Sequence, residues 1–261
     1  MNIVKHLPNA VTLCNLLCGC LAIVFAMQGD FHASFILILF GAFFDFCDGL
    51  VARGLNAYSE IGKELDSLSD LVTFGVAPAI LGLKFIILCD SSQWLCYIPL
   101  ALALCGALRL AKFNIDENQK ESFLGLPIPA AALLFSALIL YLKLLSFETE
   151  DAVTYLMIEK WLVVGFAVVL SLLMVSKIPM FSFKFKNLSP RQNKTRFVFL
   201  MIAALEIAVI LIFSSFFTHC LGFSFYGILM LAALALFVLI ITYILFNLAV
   251  NLFVGRNAQT K

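Results

Sequence analysis

Long apolar runs broken by short polar clusters recur along the whole chain, and each run is about long enough to span a bilayer. A hydrocarbon core about 30 Å thick requires roughly 20 residues of helix. Runs of that kind fall at about 9–28, 32–54, 62–88, 94–113, 126–147, 157–176, 196–217 and 224–253. The pattern predicts an all-α, polytopic membrane helical bundle of about eight transmembrane helices. Residues 1–261 are expected to form a single transmembrane domain with no soluble insert and no repeat. The opening segment, MNIVKHLP, is short and slightly basic and is expected to lie along the membrane surface. The first apolar run has no small-residue cleavage site, so it is expected to stay as an anchor rather than be removed as a signal peptide.

Composition sharpens this picture. Hydrophobic residues make up 63% of the chain and charged residues 13%, against roughly 45–50% and about 25% in soluble domains. The net charge of +1 conceals a strong segregation. With the N-terminus inside, all of the 17 Lys and Arg residues except Lys84, Lys143 and Lys160 fall in cytoplasmic segments. Asp30, Asp90, Glu148, Glu150 and Asp151 fall in the opposite loops. That distribution obeys the positive-inside rule and sets both termini in the cytoplasm. No basic patch of the nucleic-acid-binding type is present. The loop SKIPMFSFKFK (176–186) mixes bases with aromatics and reads as a surface anchor. The eight cysteines lack metal-ligand or disulfide-framework spacing, although Cys89 and Cys96 flank one loop and could pair. A thiolate role for Cys47 is not expected in a hard-cation site, and His6, His32 and His219 are scattered and receive no role. Glu206, alone in a late span, is expected to make a structural hydrogen bond.

One polar stretch, residues 45–70, differs from the others in kind. It runs DFCDGLVARGLNAYSEIGKELDSLSD, a pattern of D-x2-D-G-x2-A-R-x8-G-x3-D-x3-D. Asp45 and Asp48 share a face at the end of the second span, and Asp66 and Asp70 share a face at the start of the third. Antiparallel neighbours joined by a short connection pack together, so the four carboxylates should meet just inside the cytoplasmic surface. Two such pairs make an oxygen-rich site suited to Mg²⁺ or Mn²⁺, ions that bind pyrophosphate oxygens. Gly49, Ala52 and Gly62 would let a bulky ligand approach the backbone. The same acids could instead stand at exposed loop ends and pair with Arg53 and Lys63. Ionisable groups inside membrane segments are rare and usually functional, which favours the site. Arg109 and Lys112, at the lower end of the fourth span, are either snorkelling positive-inside residues or anion-binding groups at the depth of the aspartates.

The 45–70 pattern resembles the signature of the CDP-alcohol phosphatidyltransferases. Around it, LPNAVTLCNLLCG, DSLSDLVTFGVAPA, RLAKFN and GLPIPAAA resemble bacterial phosphatidylserine synthases of the membrane-spanning type, over about residues 7–190. The resemblance implies that family's fold and transfer of the phosphatidyl group of CDP-diacylglycerol to the hydroxyl of L-serine, giving phosphatidylserine and CMP. It implies that Asp45, Asp48, Asp66 and Asp70 hold divalent cations, Mg²⁺ or Mn²⁺ and two in number, with Asp70 also the catalytic base. Gly49, Ala52, Arg53 and Gly62 would hold CDP-diacylglycerol. Arg109, Lys112, Asn114 and Thr73 are the candidates for the serine pocket. Membrane lipids are expected partners, a homodimer is the implied assembly, and nucleic acid is excluded. The implied location is the bacterial cytoplasmic (inner) membrane, with the site facing the cytoplasm. Two departures stand out: Lys112 where the family more often has arginine, losing a planar fork, and Thr73 where serine is commoner.

None of the histidines lies in an H-x-K motif, so direct displacement is expected rather than a phosphohistidine route. A sister transferase acting on glycerol 3-phosphate or an inositol compound is the alternative within the class. From another class, a membrane ion transporter would want its carboxylates near mid-membrane. The topology is testable with reporter tags. Tags at 1, 120, 188 and 261 should read cytoplasmic and tags near 91, 150 and 221 should read the other side; a cytoplasmic signal near 150 would break the model.

Overall fold

Eight helices carry the architecture in a computed structural model that describes residues 7–55, 57, 59–89, 94–115, 123–145, 152–180, 198–209 and 225–259. They are α1 (Leu7–Gln28), α2 (Phe31–Gly54), α3 (Glu60–Cys89), α4 (Leu95–Ile115), α5 (Ile128–Leu145), α6 (Ala152–Val175), α7 (Val198–Val209) and α8 (Phe225–Gln259). Seven are long and apolar enough to cross a bilayer. The exception is α7, which is shorter over its described residues; the rest of the expected 196–217 span lies outside them. The chain is therefore an integral, multi-pass membrane protein. Most of the basic loop 176–186 and Cys220 also lie outside the described residues.

Local chemistry sets the helix ends. Asp30 caps α2 by accepting a hydrogen bond from the Ala33 N–H at 2.9 Å, and Ser59 caps α3 by accepting from the Gly62 N–H at 3.0 Å. Pro127 stands just before α5 and its carbonyl takes the Ala131 N–H, so the prolines of GLPIPAAA open the helix without costing it a bond. Pro78 lies inside α3 rather than at its end. Residues Leu71–Val76 of α3 widen into a π-helical turn in which the Ala77 N–H reaches back to the Val72 carbonyl. Proline offers no N–H to the preceding turn, and the extra residue accommodates the loss without breaking the span.

Among the described residues the helices are accompanied by one two-residue antiparallel pairing, β1 (Phe123–Leu124) with β2 (Pro179–Met180). It was not legible in so apolar a sequence. Gly125 follows β1 with φ +76°; its N–H donates to the Ile178 carbonyl, and the Leu126 N–H donates to Leu173. A Cβ on Gly125 would run into the Met174 carbonyl, so only glycine fits this left-handed turn. Asn251 Nδ2, near the end of α8, donates to the Pro179 carbonyl at 2.6 Å, which ties the last helix to the same end of the bundle.

The most enclosed helix is α5, which packs against α2, α3, α6 and α8. On α1, by contrast, Leu13, Leu17, Leu21 and Val24 point outward at helical spacing, as do Phe40, Phe43 and Leu50 on α2. In a bilayer these faces meet acyl chains. Glu206 on α7 accepts a hydrogen bond from Thr242 Oγ1 on α8 at 2.6 Å, which is the structural bond expected of it. No disulfide joins Cys89 to Cys96, so the possible pairing is not made.

Helices in lipid gain little from the hydrophobic effect between them and pack closely through small residues. Here Thr73 of α3, fully buried, is wedged between Gly19 of α1 and Gly41 of α2. A Cβ on Gly41 would lie 2.4 Å from Thr73 Cγ2. Overpacking of this kind costs roughly 1–3 kcal/mol. Gly41→Ala should therefore lower the melting temperature in detergent, and Thr73→Ser, which deletes Cγ2, should restore most of the loss. A Gly41→Ala protein as stable as the wild type would show that the three helices are not interlocked here.

Candidate active site

On either side of the connection 55–59, α2 and the start of α3 both pack on α1. Asp45 and Asp48 on α2 thereby meet Asp66 on α3, with their ligand oxygens all within 4.8 Å of one another. At an effective dielectric constant of about 20, two unit charges at that separation repel by roughly 3.5 kcal/mol. Neither nearby base relieves this repulsion. Arg53 turns its Nε to the Gly49 carbonyl (2.8 Å) and Lys63 turns its Nζ to the Asn114 carbonyl (3.2 Å). Among the described residues no ion pair joins either base to the aspartates, which removes the reading of these acids as paired loop ends.

The donor set fits a hard cation. Three carboxylates converge, and Asp66 Oδ1 is buried without a hydrogen-bond partner. An orphaned buried oxygen of that kind calls for an ion or a water. Asp70 is not part of the mutually close set. It lies one turn further along α3 and accepts a hydrogen bond from Asn15 Nδ2 of α1 at 3.3 Å.

Beside the acids lies a cleft of about 230 Å³ lined by Pro8, Asn9 and Thr12 of α1, Asp48, Gly49 and Ala52 of α2, and Gly62, Lys63 and Asp66 of α3, among others. It brings together three of the four residues expected to hold the nucleotide, Gly49, Ala52 and Gly62. Arg53 is exposed and is not among the lining residues; Lys63 supplies the cation there instead. A Cβ on Gly62 would come within 2.9 Å of Asn9 Oδ1 and Ser59 Oγ, so the wall is tight at that point.

The residues expected to bind serine separate. Arg109, partly buried on α4 with its Nε unpartnered, lies within electrostatic reach of Asp70 and of Tyr243 on α8. Lys112 is exposed. Asn114 donates from Nδ2 to Ser67 Oγ at 2.9 Å and, with Lys63, clamps the end of α4 to α3. Thr73 spends its hydroxyl on the Asn15 carbonyl at 3.0 Å. The arrangement thus leaves Arg109 facing Asp70 and gives Asn114 and Thr73 partners within the fold.

Sequence reasoning passed over α1. Thr12 Oγ1 lies 2.7 Å from Asp48 Oδ2, closer than to the Pro8 carbonyl at 3.1 Å. Asn15 contacts Asp70. Asn9, Thr12, Asn15 and Gly19 recur every three or four residues, a polar and small stripe on an otherwise apolar span, and that spacing was the available signal. Partners that orient metal ligands are typically worth about 10–100-fold in metal affinity. Thr12→Val, which keeps shape and deletes the donor, should weaken Mn²⁺ binding about tenfold by electron paramagnetic resonance titration. Unchanged Mn²⁺ binding would detach Thr12 from the acidic site.

Comparison with known proteins agrees with this geometry. The family model for CDP-alcohol phosphatidyltransferase matches residues 5–173. The chain is 41% identical over 165 residues to a Bacillus subtilis CDP-diacylglycerol–serine O-phosphatidyltransferase, covering 60% of this chain and 88% of that protein. It is 33% identical over 223 residues to a protein of the same description from Methanocaldococcus jannaschii, covering 85% and 92%. An archaetidylserine synthase of Methanothermobacter thermautotrophicus is 36% identical over 174 residues, covering 66% and 68%.

Proposed function

Because the chain belongs to the CDP-alcohol phosphatidyltransferase family, we propose that it makes phosphatidylserine, moving the phosphatidyl group of CDP-diacylglycerol onto L-serine and releasing CMP. The observation that carries the reading is the convergence of Asp45, Asp48 and Asp66 beside a small-residue cleft, with Asp70 one turn beyond. The three relatives all have serine in the names of their activities, two with CDP-diacylglycerol as the lipid and one an archaetidylserine synthase. That shared feature favours serine over glycerol 3-phosphate or an inositol compound as acceptor.

In this reading Gly49, Ala52 and Gly62 admit the nucleotide to the backbone, and Lys63, on the cleft wall, reaches its phosphates by exchanging the Asn114 carbonyl for them. The family uses divalent cations; Mg²⁺ or Mn²⁺, two in number, held by Asp45, Asp48, Asp66 and Asp70, would neutralise the pyrophosphate and the departing CMP. Asp70 takes the proton of the serine hydroxyl, whose oxygen forms a bond to the lipid-bearing phosphorus as the bond to CMP breaks. Arg109 holds the serine carboxylate. Arg53, Asn114 and Thr73 act at one remove, through the backbone and helix contacts that shape the pocket. The enzyme is a single catalytic domain, a homodimer of the bacterial cytoplasmic membrane, with its site facing the cytoplasm.

Purified protein supplied with CDP-diacylglycerol and a panel of alcohols should form phosphatidylserine and CMP from serine alone. Turnover with glycerol 3-phosphate and none with serine would overturn the substrate. Asp70→Asn should lower kcat at least about 10²-fold, the scale of general-base catalysis, while CDP-diacylglycerol binding weakens less. Arg109→Ala should raise the serine KM about tenfold and leave that for CDP-diacylglycerol nearly unchanged, since a charge-assisted bond contributes roughly 1.5–3 kcal/mol. The reverse pattern would assign Arg109 to the pyrophosphate.

A further inference from the structure

Asn15 is fully buried on α1 and is gripped by α3 from two sides. Its Nδ2 donates to Asp70 Oδ1 at 3.3 Å, and its backbone carbonyl accepts from Thr73 Oγ1 at 3.0 Å. Asp70 and Thr73 are three residues apart, so one turn of α3 holds both ends of this single residue. The amide oxygen points to the Gly41 side, where an added Cβ would stand 3.1 Å from it, and it is buried with no hydrogen-bond partner. Reversing the amide would set Oδ1 against a carboxylate oxygen, so the nitrogen belongs on the Asp70 side.

The chemistry of the contact is asymmetric. An amide nitrogen only donates, so the Asp70 oxygen it touches is fixed as an acceptor and is a poor place for a proton to land. The other oxygen, Oδ2, keeps that capacity. We propose that Asn15 is a positioning residue for deprotonation of the acceptor alcohol, holding Asp70 by Oδ1 so that Oδ2 is presented to the incoming hydroxyl. The proton passes from that hydroxyl to Asp70 Oδ2. The electron pair left on oxygen forms the new bond to phosphorus, and the pair of the breaking bond leaves with CMP. This role rests on the reading of Asp70 as the base.

The experiment uses the full-length enzyme in detergent–lipid micelles with CDP-diacylglycerol, radiolabelled serine and saturating Mn²⁺. Asn15→Leu, similar in volume and unable to donate, should lower kcat about 10²-fold. The CDP-diacylglycerol KM should stay within about threefold of the wild type, and saturating Mn²⁺ keeps any change in metal affinity out of kcat. In an Asp70→Asn background the same substitution should cost less than about threefold, because residues that act through one another are not additive. A kcat near the wild-type value, an equal loss in both backgrounds, or a loss carried by the CDP-diacylglycerol KM would each overturn the proposal; the last two would mark Asn15 as helix packing. If Asn15→Leu does not fold, Asn15→Ser, too short to span the contact, carries the same expectations. The underlying reading fails differently. A wild type inactive with serine removes the substrate while leaving Asn15 testable with whichever alcohol reacts, and a fully active Asp70→Asn removes the base.

Discussion

Carboxylates held a few ångströms apart in apolar surroundings repel one another, and the placement of Asp45, Asp48 and Asp66 within 4.8 Å is the constraint that organises this bundle. The acids lie in the halves of α2 and α3 that adjoin their connection. Shared packing on α1 brings α2 and the start of α3 to the same site. Their basic neighbours are turned elsewhere, Arg53 to a carbonyl of its own helix and Lys63 to the end of α4. The negative charge is therefore left for a ligand to neutralise, an arrangement that a protein built only for stability would not retain.

Holding such a site requires rigid supports, and they come from parts of the chain with little charge. Thr12 and Asn15 of α1 direct hydrogen bonds at Asp48 and Asp70. Close approach of α1, α2 and α3 depends on Thr73 being set between two glycines. The π-helical turn at Leu71–Val76 lies immediately after Asp70, where an extra residue per turn re-aims the helix on its way past Pro78. Behind these, α5 supplies an almost wholly buried column against which α2, α3, α6 and α8 pack.

How much of this could be read in the sequence follows from what kind of signal each part carries. Span length and the positions of Asp45, Asp48, Asp66 and Asp70 were legible, because hydrophobic length and helical spacing are both local properties. The contribution of α1 was not, since a threonine and an asparagine in an apolar run look like tolerated polar residues until a partner helix is placed beside them. Asn114 and Thr73 have the right chemistry for a substrate pocket, yet their polar atoms are committed to Ser67 and to the Asn15 carbonyl. Sequence shows which groups can bond and not which bonds are already made. The β1–β2 pairing and the Gly125 turn depend on contacts some fifty residues apart and leave no local trace.

The cleft beside the acids measures about 230 Å³, below the roughly 300–1,000 Å³ typical of pockets that enclose a drug-sized molecule. It has room for part of a nucleotide head and none for two acyl chains. Next to it Leu13 and Leu17 of α1 and Phe43, Phe46 and Leu50 of α2 face outward. A lipid substrate seated there would keep its tails in the surrounding bilayer, touching the protein along one side only. Discrimination would then fall on the head group, and the tails of the product would mirror whatever fatty acids the cell had already put into its precursor pool. A change in growth temperature that altered those fatty acids would pass through the enzyme unedited.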